Sequence, residues 1–89
     1  MDAKATIDAA GIGCEPASAC SLAGIRQLVK SGEIQPGQKV VGVLTGHLLK
    51  DPDATIDYHT GKLDEINSEK ANRPIAIEAN LDAFFAAIR

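Results

Sequence analysis

The chain has 89 residues and a mass of 9.3 kDa, so it holds one domain at most. Leu, Ile, Val and Phe fill about a quarter of the positions, above the apolar poverty of disordered chains, but aromatics are limited to Tyr58, Phe84 and Phe85, so the core is small. A formal net charge of -3 without long runs of either sign, scattered Arg26, Arg73 and Arg89, and apolar stretches such as Val40 to Leu44 that fall far short of a bilayer span argue against a nucleic-acid surface and a membrane span.

The opening Met-Asp-Ala-Lys lacks the basic and apolar regions of a secretory signal, which gives the expectation of a cytoplasmic protein. Its two cysteines, Cys14 and Cys20, are then expected as reduced thiols, and their spacing matches no zinc module. From Asp2 to Ala10 the run is alanine-rich, with Ala3, Ile7 and Ala10 on one helical face, Asp2 available as a cap and Gly11 as the stop. Gly11-Ile12-Gly13-Cys14 suits a strand or extended turn where backbones approach closely. Pro16 opens the next element, in which Leu22, Ile25, Leu28 and Val29 recur at helical spacing until Gly32; this predicts a helix over residues 16–31.

Pro36-Gly37 marks a turn, and the run Val40-Val41-Gly42-Val43-Leu44 reads as a strand covered on both faces, hence parallel and central. It ends in Thr45-Gly46-His47, at the carboxyl edge where open α/β sheets bind ligands. Lys50 to Asn72 is polar and is expected as surface loop with one helical turn around Leu63 to Ile66; Pro74 to Ile77 is a candidate edge strand. Leu81, Phe84, Phe85 and Ile88 then fall at i, i+3, i+4 and i+7 behind Asn80 as cap, which predicts an amphipathic helix that needs a surface to cover. The predicted fold class is α/β: an incomplete three-layer fragment with one buried parallel strand, flanking helices and a C-terminal amphipathic helix.

Several motifs fail on inspection. A dinucleotide fingerprint starting at Gly11 would need its third glycine where Pro16 stands, and a phosphate loop starting at Gly42 would need Gly-Lys where His47-Leu48 stands. His47, Asp51, Asp53, Asp57 and His59 contain no pair at the spacing of a prepared helical metal site, so a solvated loop is the simpler reading. Neither histidine is placed by sequence to activate Cys14 or Cys20. Two residues keep two readings each. Glu15, before Pro16, either caps a helix start or faces a ligand. Thr45 is either an ordinary strand-end hydroxyl or, followed by a glycine that admits a flat ring, a cofactor contact.

The stretch Gly11-Ile12-Gly13-Cys14-Glu15-Pro16-Ala17-Ser18-Ala19, followed by Leu44-Thr45-Gly46-His47-Leu48-Leu49-Lys50-Asp51-Pro52, resembles the C-terminal part of threonine synthase, a pyridoxal-phosphate enzyme of fold type II. The first motif alone is shared with relatives such as the serine dehydratases; joined to the second it is specific. The resemblance covers residues 2–55, with a weaker tail, and departs from the family at Leu48, where glycine is frequent. It implies conversion of O-phospho-L-homoserine and water to L-threonine and phosphate, by γ-elimination of phosphate and addition of water at the β-carbon. It also implies that Thr45 hydrogen-bonds the pyridine nitrogen of pyridoxal phosphate, that Gly46 lets the backbone pass the ring, and that Glu15 lies near it. A hydroxyl, unlike a carboxylate, leaves that ring largely neutral.

Two parts required of such an enzyme do not occur in the chain. None of Lys4, Lys30, Lys39, Lys50, Lys62 and Lys70 stands in the context of the cofactor-bearing lysine, and no asparagine- and glycine-rich phosphate loop is present. Met1 stands where the family's chain continues upstream, so residues 1–89 are expected to be a C-terminal fragment, inactive alone, that works with the remainder of the enzyme chain and is compatible with a homodimer. The alternatives are a stand-alone, non-catalytic interaction module derived from such an enzyme, or a fragment of a related serine or threonine dehydratase.

Overall fold

A computed structural model describes residues 1–89. Four α-helices follow one another: α1 (Asp2–Ala9), α2 (Cys20–Ser31), α3 (Pro52–Thr60) and α4 (Leu81–Ile88), with a 3-10 turn over Ala17–Ala19 leading into α2. No strand forms.

The α/β fold class is therefore corrected. Val40 to Leu44 has the composition of a buried strand, but a strand exists only through backbone bonds to a neighbour, and no backbone group from Lys39 to Thr45 pairs with another backbone group. Its side chains are open as well, Val41 being 86% exposed. Pro74 to Ile77 likewise lies exposed outside any ladder, so the expected edge strand is absent. Residues 12–15 have no regular structure, and Gly13 takes a positive φ of 71°.

The helix signals at the two ends of the chain hold. Pro16 sits at the cap of the 3-10 turn, α2 runs on to Ser31, and Gly32 ends it in the left-handed conformation that glycine adopts without a Cβ penalty. Asn80 caps α4 by accepting the Ala83 N–H at 2.8 Å. α1 also forms, but Met1 rather than Asp2 is its cap, and the Asp2 carboxylate instead accepts a hydrogen bond from Tyr58. The third helix was not expected: polar Lys50 to Asn72 contains α3, and around Leu63 to Ile66 there is a non-helical turn with Glu65 at positive φ.

The core is a single small cluster. Ile7 of α1, Cys14 of the segment between α1 and the 3-10 turn, and Ala19 of that turn are buried together, with Leu22 and Leu44 packed against them. Lys4 is buried in α1 at 1% exposure, its ammonium 2.6 Å from Asp8 one turn on. Tyr58 ties α3 to this body, donating to Asp2 and accepting the Lys70 N–H at 3.2 Å. Beyond that the chain is open. A groove of about 320 Å³ lies between α2 and residues 40–44, lined by Ile7, Leu22, Ile25, Val40 and Leu44. α4 packs against none of the other helices, so its apolar face is uncovered.

Candidate functional site

The two motifs meet in space even though no sheet joins them. The Glu15 N–H donates to the Gly46 carbonyl at 3.0 Å, which fixes the chain after Leu44 against the entry to the 3-10 turn. Pro16 starts that turn and so brings Ser18, three residues after Glu15, back toward the same point.

Ser18 is buried at the centre of the meeting place. Its Oγ accepts the Thr45 N–H at 3.1 Å and the Gly46 N–H at 3.2 Å, lies 3.0 Å from Thr45 Oγ1, and is 3.3 Å from Glu15 Oε1. The Ser18 carbonyl accepts from Ser21 Oγ at 2.8 Å, which continues the network into the first turn of α2. Thr45 itself is an exposed residue.

Glu15 does not cap a helix; its carboxylate is claimed by side chains. Lys50 Nζ sits 2.7 Å from Glu15 Oε2, and the carboxyl is held below its usual pKa chiefly by the hydrogen bond from Lys50; partial burial opposes this, and the ammonium charge and the Ser18 hydroxyl add to the lowering. The Lys50 ammonium is raised above its usual value by the same hydrogen bond and charge. Gly46 matters here for a reason the sequence did not suggest: the space beyond its Cα is filled by the Glu15 side chain. The bare Cα admits the carboxylate of the other motif.

Thr45, Gly46 and Glu15, the three residues expected at the site, are thus brought together, and two more join them. Ser18 stood within the first motif and Lys50 within the second, but their roles depend on the chain return that closes the gap between residues 18 and 45. The other candidates lie elsewhere. His47 Nδ1 accepts the Leu49 N–H at 3.0 Å within a local turn, and His59 Nδ1 accepts the Asn72 N–H at 2.9 Å, which ties the end of α3 to the chain 13 residues on. No three His, Cys, Asp or Glu side chains gather as a metal-holding group. Cys14 is fully buried with its thiol pushed up by burial, and Cys20 is exposed; both are free thiols.

A neutral heteroaromatic nitrogen matches this donor set. The exposed residue carries an uncharged hydroxyl, and the one carboxylate nearby is already engaged by Lys50, so no free anion stands ready to stabilise a protonated ring. No helix of the chain is long and apolar enough to cross a membrane.

No protein-family profile matches the chain. Among curated proteins it is 45% identical over 78 residues, 88% of its own length, to threonine synthase of Methanosarcina acetivorans, of which this covers 16%. It is 48% identical over 64 residues, 68% of its length, to threonine synthase of Halalkalibacterium halodurans, covering 18% of that protein. It is 32% identical over all 89 residues to the chloroplastic threonine synthase 2 of Arabidopsis thaliana, covering 17% of it. The chain therefore spans less than a fifth of the length of these relatives.

Proposed function

Starting from a chain that is similar to a fragment of threonine synthase, we propose that it is the C-terminal fragment of such an enzyme and supplies one wall of its cofactor site. The complete protein is then a cytoplasmic lyase of threonine biosynthesis acting on O-phospho-L-homoserine. Bound pyridoxal phosphate supplies the electron sink for the carbanion chemistry. The part of this chain is to donate the Thr45 hydroxyl to the pyridine nitrogen, with Gly46 and Glu15 beside it. A neutral hydrogen bond of this kind contributes about 0.5–1.5 kcal/mol and leaves the ring unprotonated.

The observation that carries this reading is the convergence of the two motifs on Ser18, which gathers Glu15, Thr45 and Gly46 from positions up to 31 residues apart in the chain. The remainder of the enzyme then covers the groove beside Val40 and the apolar face of α4, and contributes the lysine and phosphate loop that the chain lacks. Alone, the chain does not catalyse.

The test is to join residues 1–89 to the remainder of a threonine synthase and titrate pyridoxal phosphate. Thr45→Val is expected to change the cofactor absorbance and lower the rate with little loss of stability, and Thr45→Asp to shift the spectrum toward a protonated ring. Unchanged spectra and rates in both variants sink the role of Thr45. Product analysis of the joined protein separates a synthase from a dehydratase. Cooperative folding of the chain alone, with no response to the cofactor in the joined protein, points instead to a free-standing interaction module.

A further inference from the structure

Resting on the reading of Thr45 above, we propose that Ser18 is a positioning residue: its hydroxyl fixes the Thr45 hydroxyl and leaves the Thr45 proton free to be donated to the pyridine nitrogen. A serine hydroxyl has two lone pairs and one proton. Both lone pairs of Ser18 Oγ are taken by backbone donors, the N–H groups of Thr45 and Gly46 at 3.1 and 3.2 Å. Thr45 therefore has no acceptor in Ser18, although the two oxygens are 3.0 Å apart.

The single Ser18 proton completes the arrangement. Of its two acceptors, Thr45 Oγ1 is at 3.0 Å and Glu15 Oε1 at 3.3 Å, and Lys50 already satisfies the other oxygen of that carboxylate. Whichever of the two takes that proton, both Ser18 lone pairs stay filled by the backbone donors, so the Thr45 O–H has no partner within the chain. Thr45 is an exposed residue, so it is not closed off from a ligand as Ser18 is. Ser18 is buried and cannot itself reach a ligand. Its part is to hold the Thr45 main chain by accepting its N–H, with the two hydroxyl oxygens 3.0 Å apart, and to offer the Thr45 proton no acceptor.

Two measurements on Ser18→Ala, Ser18→Thr and Ser18→Cys test this. The first is amide exchange by NMR in the 89-residue chain. Ser18→Ala should speed exchange at Thr45 and Gly46 roughly fivefold, as expected for loss of a hydrogen bond of about 1 kcal/mol, while Ser18→Thr, which keeps the hydroxyl, should not. Ser18→Cys, close in volume but a poor hydrogen-bonding partner, should behave like Ser18→Ala and serves where alanine melts the fold. The second is the pH titration of cofactor absorbance in a complete threonine synthase carrying this segment. There Ser18→Ala should move the titration in the same direction as Thr45→Val, and Ser18→Thr should restore it.

Unchanged exchange at Thr45 and Gly46 overturns the proposal whatever the cofactor does. Faster exchange with a cofactor titration that only Thr45→Val moves also overturns it, and leaves Ser18 a purely structural bond. If neither Thr45→Val nor Ser18→Ala moves the titration, the reading of Thr45 fails first and this proposal with it.

Discussion

Glu15 occupies the space that any side chain at Gly46 would need: a Cβ there overlaps Cγ and Cδ of Glu15. The same glutamate donates its N–H to the Gly46 carbonyl, so side chain and main chain of one residue both close on the other. Gly46→Ala should therefore expel the Glu15 side chain from Lys50 and Ser18 and destabilise the chain by about 1–3 kcal/mol, the range for overpacking. Adding Glu15→Ala should recover part of this loss. Urea midpoints of the single and double variants measure it; additive losses would show that the two residues do not compete for one space.

The Glu15–Lys50 pair gives a pH window with a definite sign. The carboxyl is lowered, so its contribution is complete above the ordinary carboxylate pKa of about 4.3 and is lost as pH falls through the lowered value. The ammonium is raised, so its contribution is complete below the ordinary lysine pKa of about 10.4 and is lost as pH rises through the raised value. Between these limits the pair is constant. In Lys50→Met the Glu15 carboxyl should titrate at higher pH than in the parent chain, followed by carboxyl carbon NMR.

Tyr58 is the only tyrosine, which makes its environment directly readable. Burial, and then the hydrogen bond to Asp2, raise its phenol above the usual range, so absorbance near 295 nm should titrate above about pH 10 in the folded chain. Its contribution is present below the ordinary phenol pKa and disappears as pH rises through the raised one. Tyr58→Phe keeps the ring but leaves the Asp2 acceptor and the Lys70 N–H without their partner, which should cost about 1–3 kcal/mol in a urea titration.

The two thiols should separate cleanly under a disulfide reagent. Cys20 is exposed and should react at once, whereas Cys14, buried and with its thiolate disfavoured, should react only as fast as the core opens. Equal rates at both would contradict the core around Ile7 and Ala19.

Helices with two readable ends were legible in the sequence. α2 is announced by Pro16, its periodic leucines and Gly32; α4 by Asn80 and its four apolar positions. α3 went unread because its composition is polar, although Pro52 in the first turn and Gly61 just past the end are a start and a stop in the expected order. Val40 to Leu44 failed for a deeper reason. A strand is a statement about partners, and local composition cannot say whether a ladder is supplied. The site divides in the same way: Thr45, Gly46 and Glu15 follow from residue types at motif positions, while Ser18 and Lys50 acquire their parts only from the fold between residues 15 and 50.

With no helix packed against it, α4 reports nothing about the rest of the molecule and the rest reports nothing to it. Heat or denaturant should then melt residues 81–88 in an event of their own, before the cluster around Ile7 gives way. A single protease cut in the exposed stretch 71–80 would release that helix and leave Ser18, Thr45 and Gly46 as they were.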